Sequence, residues 1–380
     1  MAESLVETRP PRHLRSGAPR DLRIDFLRGL SILSVLVLHF NIAYRLLNGP
    51  IGKLLPDPYL SNAVWNGNYG VTVFFVISGY LITSTTMRRY GSLDKVSLRG
   101  FYAFRFARIF PCLLLVLAII SALAIGGVPI FRGQHPPSLW LADLSILTFW
   151  HNALMARFGY FNYCLNVLWS LSVEEVFYLA FPLLCMLLKR ARWLALVWAA
   201  AVIVGPIFRA THSKNEIESL YGYLACFDAI AMGCGVAVLV RRVRIGPLLR
   251  SLLQAAAMAW MLWVFLRAGI DSVPVWGPTM MAVGAALFLF AEGAGLDLAA
   301  GPADRFTLPI RWLGRLSYEL YLFHIVLLAL LQNYVNRHGI TESAKLVWFA
   351  VFLAASALVA WGMARWYSEP MNGWLRRKLT

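Results

Sequence analysis

Charge is scarce in this chain. Only 14% of its 380 residues are Asp, Glu, Lys or Arg, against roughly 25% in soluble proteins, while 59% are hydrophobic. A soluble core of this length could not hide so much apolar surface, so a water-soluble globule is excluded. Acidic residues are the scarcer sign: 19 Asp+Glu stand against 35 Lys+Arg, a net charge of +16. That balance suits nucleic acid or an anionic membrane surface. The basic residues form short clusters between apolar runs and not one basic domain, which favours membrane lipids and argues against nucleic acid. Cysteine is sparse as well. The five (Cys112, Cys164, Cys185, Cys226, Cys234) include no CxxC pair; four lie in apolar helical runs and Cys164 at a loop approach. Neither a disulfide framework nor a metal site is expected. His135 and His151 have no helical metal-ligand spacing and receive no role.

What is present is a series of apolar runs. A helix needs about 20 mostly apolar residues to cross the hydrocarbon core. Ten segments qualify: 24–47, 70–88, 109–130, 168–188, 193–210, 220–240, 248–268, 274–294, 314–333 and 345–366. The expected fold is an all-α integral membrane protein with about ten transmembrane helices in one bundle. Residues 1–23 read as a disordered basic tail, 24–374 as the transmembrane domain and 375–380 as a basic C-terminal end. The first apolar run outlasts a signal-peptide core and reads as a retained span. The stretch 139–155 is shorter, is interrupted by Asp143, His151 and Asn152, and reads as interfacial or re-entrant. Residues 96–108, rich in Arg and Phe, read as an amphipathic surface segment before the third span. With the N-terminus placed in the cytoplasm, 26 of the 35 Lys+Arg fall on the cytoplasmic side and nine outside. A miscounted span would invert that bias downstream, and it never inverts. Both termini are therefore expected in the cytoplasm.

Charged side chains inside a span cost at least ~2.5–3.5 kcal/mol each and are functional candidates by default. Arg28 and His39 lie eleven residues apart on the first span, hence on one helix face and about 16 Å apart along the axis. Arg28 also suits a snorkelling anchor, and His39 an interhelical hydrogen bond. On the fourth span Ser170, Glu174 and Tyr178 form an i, i+4, i+8 stripe. This makes Glu174, and not its neighbour Glu175, the better inward-facing carboxylate, with a structural salt bridge as its plainer role. Ser317, Tyr321 and His324 share a face of the ninth span; His324 suits a second site residue and a partner for a neighbouring helix equally. Ser78-Gly79-Tyr80 reads first as a close helix approach permitted by Gly. Arg105 and Arg108, i and i+3, make a phosphate clamp, though the same geometry serves lipid headgroups.

Six segments, taken in order, resemble the membrane-bound acyltransferase 3 family: Arg28 followed after ten residues by His39, FFVISGYLIT (74–83), RFARIFP (105–111), WSLSVEEVFYLAFPLL (169–184), LGRLSYELYLFH (313–324) and Ser368-Glu369-Pro370. The resemblance covers about residues 22–374. It implies transfer of an acyl group, usually acetyl, from cytoplasmic acyl-CoA to a hydroxyl acceptor on the far side of a bacterial-type cytoplasmic (inner) membrane. The acceptor is commonly a surface polysaccharide or other glycan. Acyl-CoA is then a co-substrate, with no permanently bound cofactor. Some members carry an esterase-like domain after the membrane part; this sequence shows none, so the acceptor is expected to meet the membrane domain or a separate partner.

By that resemblance His39 and Glu174 are catalytic, Arg28, Arg105 and Arg108 bind CoA, and Ser78, Tyr178, Ser317, Tyr321 and His324 support the site. The chemistry agrees. A hydroxyl attacking a thioester needs a base, and neutral imidazole is suited to it; His39 serves as that base or carries the acyl group itself. Glu174 orients the imidazole or positions the acceptor. The rival class is a polytopic transporter using intramembrane His, Glu and Arg as a proton or substrate relay. It predicts an inverted repeat and paired broken helices, and neither is visible in the sequence.

Overall fold

The computed structural model describes residues 21–48, 52, 56–133, 136–291, 301–335 and 340–379. The expected basic tail up to residue 20 and His135 lie outside them. Among the described residues the regular structure is helical: α1 (Leu22–Tyr44), α2 (Tyr59–Trp65), α3 (Asn68–Tyr90), α4 (Leu98–Ile125), α5 (Leu139–Leu147), α6 (His151–Phe158), α7 (Trp169–Leu188), α8 (Ala191–Thr211), α9 (Glu216–Tyr221), α10 (Tyr223–Leu239), α11 (Pro247–Arg267), α12 (Gly277–Phe290), α13 (Gly301–Arg315), α14 (Ser317–Tyr334), α15 (Ala344–Met363) and α16 (Glu369–Leu379), the last joined to α15 by a π-helical turn.

Among the described residues, eight helical segments are long and apolar enough to cross a membrane. A ninth is the pair α13–α14, bent by 74° at Leu316. α12 has only 14 residues, about 21 Å of rise, and its crossing follows from helix direction. Along α1 and α14, Arg28 meets Ser317, His39 meets His324 and Tyr44 meets the Val335 carbonyl. The two helices therefore run the same way, which requires an odd number of crossings between them. α3, α4, α7, α8, α10 and α11 number six, so α12 must be the seventh. About ten transmembrane helices in one bundle result, as the hydropathy implies. A span shorter than the ~30 Å core is accommodated by its flanks and by local thinning.

Two local expectations change. The Arg- and Phe-rich stretch 96–108 is not a separate surface segment. Ser97 caps a single helix, its side chain accepting from the Gly100 amide, and that helix continues through Pro111 to Ile125. Pro111 lacks the N–H that would bond the Ala107 carbonyl, yet the helix runs on; the Tyr318 and Tyr367 hydroxyls donate to the nearby carbonyls of Ile109 and Pro111 and tie this stretch to its neighbours. Likewise the span expected over 314–333 begins at Ser317, since Arg315 belongs to the amphipathic α13. The stretch 139–155 forms two short helices, neither long enough to cross. Residues 375–379 complete α16.

Glycine lets helices meet backbone to backbone. A Cβ on Gly79 would sit 2.0 Å from the Ile230 carbonyl oxygen, and one on Gly233 2.0 Å from that of Val76. α3 and α10 thus cross backbone to backbone, the close approach that only Gly allows. All five cysteines are buried and free.

Candidate active site

A cavity of about 370 Å³ opens between α1, α3, α4, α7, α14 and α16. Its polar lining is lopsided. Arg28, Arg89, Arg105, Arg108 and Arg376 supply five guanidiniums, and among the described residues Glu174 is the one carboxylate of the lining. The remaining wall is largely aromatic and aliphatic. Five cations around one carboxylate in a part-enclosed site repel one another, and the arrangement favours an anionic ligand with an apolar portion.

The helix stripes read from the sequence do converge here. Arg28 Nε donates to Ser317 Oγ at 3.0 Å, joining α1 to the first turn of α14. Tyr321, one turn on, makes a 2.6 Å hydrogen bond with Ser170 of α7 and donates to the Val167 carbonyl at 2.7 Å. Two turns along α7 from Ser170, the Tyr178 hydroxyl donates to Glu174 Oε2 at 3.1 Å and bonds Ser78 of α3. The Arg105 guanidinium lies 3.9 Å over the Tyr178 ring, a cation–π contact. Of the two adjacent carboxylates, Glu174 reaches the cavity, while Glu175 is buried away from it and its Oε1 has no hydrogen-bond partner among the described residues.

His39 and His324 do not line this cavity; they form a pair beyond its Tyr321 end. The rings lie 4.9 Å apart between centroids, and His324 is 6.1 Å from the Tyr321 ring. Their proton positions follow from their partners. His39 Nδ1 faces the Val35 carbonyl at 2.9 Å, and His324 Nδ1 faces the Leu320 and Tyr321 carbonyls, each at 2.9 Å. A carbonyl only accepts, so both Nδ1 atoms carry hydrogen. His324 Nε2, 3.3 Å from His39 Nδ1, is then an acceptor for that same N–H. The remaining lone pair of the couple sits on His39 Nε2. Three backbone carbonyls and one imidazole thereby fix the tautomer in which His39 can accept a proton.

Comparison with known proteins now bears on this arrangement. A family model described as an acyltransferase domain matches residues 21–365. The chain belongs to that acyltransferase family. Among relatives of this acyltransferase-family chain, the O-acetyltransferase OatA of Staphylococcus aureus strain NCTC 8325 / PS 47 is 23% identical over 372 residues, 92% of this chain and 57% of OatA. A Staphylococcus aureus strain COL protein with a provisional O-acetyltransferase name is 24% identical over 332 residues, 82% of this chain and 51% of that protein. The chain thus spans about half the length of the curated relatives it matches. No solved structure matches it.

The acyltransferase-family chain gathers Arg28, Ser78, Arg105, Arg108, Glu174, Tyr178, Ser317 and Tyr321 around one cavity, with His39 and His324 adjoining it. From the sequence, Glu174 was to orient the imidazole or to position the acceptor. The hydrogen bond of Glu174 goes instead to Tyr178, and the side chain facing His39 Nδ1 is His324. Arg89, Arg376 and Phe104 were not singled out from the sequence. Arg89 ends a span where basic residues are ordinary, and Arg376 follows the family match. A second polar cluster was also missed: Arg209 and Asp228 form a buried 2.7 Å ion pair joined by Thr279. These residues sit near helix ends, where polarity carries little signal.

Proposed function

We propose that this protein transfers an acyl group, acetyl in the simplest case, from acyl-CoA to a hydroxyl of a glycan or similar acceptor. The observation that carries this reading is the arginine-lined cavity ending beside a histidine whose Nε2 holds the lone pair. Arg105 and Arg108, with Arg28, hold CoA phosphates. The pantetheine arm, on the order of 15–20 Å long, follows α1 toward His39, a distance matching the ~1.5 Å rise per residue from Arg28. His39 Nε2 takes the acceptor hydroxyl proton as the oxygen attacks the thioester carbonyl. The carbon–sulfur bond then breaks, and the imidazolium returns its proton to the departing CoA thiolate. During this cycle His39 Nδ1–H keeps donating to His324 Nε2, which orients the ring and shares its positive charge. In a two-step variant the same Nε2 would carry the acyl group. Glu174, tied to Tyr178 and flanked by guanidiniums, fixes the inner part of the donor site.

The basic clusters support a bacterial cytoplasmic membrane with both termini in the cytoplasm, so that donor and acceptor approach from opposite sides. The test uses purified protein with radiolabelled acetyl-CoA and surface glycan. Acetylated glycan together with free CoA supports the proposal. Accumulation of an unmodified solute in vesicles, without thioester cleavage, would return the chain to the transporters.

A further inference from the structure

The roles above use three of the five cavity arginines. Arg89, at the end of α3, and Arg376, in α16, have none, and Arg376 lies eleven residues beyond the matched region. Both are seated on one side chain: the Arg89 Cζ lies 3.5 Å and the Arg376 Cζ 4.6 Å from the centroid of Phe104, which itself lines the cavity. Arg376 is moreover close enough to feel the charges of Arg108, Arg89 and Arg105. Two helix ends have thus been brought onto one ring of α4, where their charges add to a pair already present.

Stacking engages the face of a guanidinium, and its N–H edge is the part that grips phosphate. An aromatic seat therefore orients an arginine without neutralising it, as a carboxylate would. Arg89 is exposed, which places this group at the open end of the cavity, whereas Tyr321 marks the end beside the histidines. We infer that Arg89 and Arg376, seated on Phe104, form a second phosphate subsite that takes the 3′-phosphate on the CoA ribose, while Arg105 and Arg108 hold the pyrophosphate. This rests on the acyl-CoA reading and extends it. α16 becomes part of the donor site, and the site discriminates between donors by a phosphate remote from the reacting thioester. The shared chemistry, a phosphate monoester or diester at the cavity mouth, could also come from an anionic lipid headgroup.

The experiment compares binding of acetyl-CoA and acetyl-dephospho-CoA, which lacks only the 3′-phosphate, to the full chain in phosphatidylcholine nanodiscs. The unaltered protein should prefer acetyl-CoA by roughly ten- to a hundred-fold, the effect of losing charge-assisted hydrogen bonds. Arg376→Gln and Arg89→Gln should each shrink that preference toward unity by weakening acetyl-CoA alone, and Arg376→Lys should restore part of it. Equal affinity of the unaltered protein for the two donors overturns the subsite whether or not the variants fold. So does a Gln variant that weakens both donors equally. If phosphatidylglycerol in the nanodisc competes with either donor alike, and Arg376→Gln abolishes the competition, the site belongs to lipid. Failure of the unaltered protein to bind either donor would instead overturn the acyl-CoA reading, and this inference with it.

Discussion

Replacing His324 separates a positioned base from a merely buried one. His324→Leu keeps comparable bulk at a fully buried position but removes the Nε2 that accepts from His39 Nδ1. That hydrogen bond becomes charge-assisted only once His39 has taken a proton, so its loss should appear in turnover. A hydrogen bond to a charged group is worth about 1.5–3 kcal/mol, which corresponds to a fall of roughly 10- to 150-fold in kcat. His39→Gln, which cannot accept a proton at neutral pH, should cost ~10²–10⁴-fold. The double variant should be no slower than His39→Gln, because the partner has nothing left to orient. Affinity for acetyl-CoA should hold within about threefold in all three, since charge-assisted bonds to phosphate and not the imidazole supply the grip. Initial rates of label transfer from acetyl-CoA, with parallel binding curves, give every quantity needed. Near-normal turnover by His39→Gln would refute the base assignment. Multiplication of the two single effects would show that the histidines act independently.

The remaining expectations concern grip, stability, packing and topology. Changing Arg105 and Arg108 together to Ala should weaken acetyl-CoA binding much more than acceptor binding, with Lys a partial substitute because it lacks the planar fork; equal losses would reassign the pair to headgroups. Asp228→Ala leaves Arg209 buried without its carboxylate and should cost about 3–5 kcal/mol of stability, read as an early thermal transition in detergent, and a change within error would show the pair is not structural. Gly79→Val should leave little folded protein on size exclusion, given the 2.0 Å approach of the Ile230 carbonyl to any added Cβ; a normal monodisperse yield would contradict that crossing. Reporters fused after residues 92 and 245 should read cytoplasmic and one near 214 external, and a swapped result at any of them would break the orientation.

Much of the architecture was legible because a membrane leaves few choices. Apolar runs of the right length become helices, and the stripes Ser170–Glu174–Tyr178 and Ser317–Tyr321–His324 needed only the 3.6-residue period to point inward. What stayed hidden depends on how helices sit beside one another. Nothing local says that α1 and α14 run in parallel and bring His324 to His39, so the sequence left His324 undecided and offered Glu174 as the orienting group. The early start of α4 was obscured by Arg99, Arg105 and Arg108, which read as a water-facing segment; Arg99 is indeed exposed, but Arg105 and Arg108 line the cavity. Phe104 looked like one apolar residue among many, and its role as a seat for Arg89 and Arg376 depends on three separate elements. Arg209 and Asp228 are nineteen residues apart on different helices, beyond the reach of any single-helix pattern.

The crossing of α3 with α10 also bears on how the cavity can breathe. Two helices in backbone contact cannot slide or part without losing that fit along their whole crossing. Ser78 lies next to Gly79, so the α3 wall of the cavity is held in register with α10 and forms its stationary side. By contrast α4 and α16 meet the rest of the site through side chains: the arginine stacks on Phe104, Arg105 over the Tyr178 ring, the Tyr102 hydroxyl bonded to the Leu179 carbonyl, and the Tyr318 hydroxyl bonded to the Ile109 carbonyl. Stacked rings and guanidiniums slip past one another at far lower cost than interlocked backbones. Widening of the cavity to admit or release a long ligand therefore belongs to α4 and α16, on the microsecond-to-millisecond scale of helix shifts, while α3 keeps its place against α10.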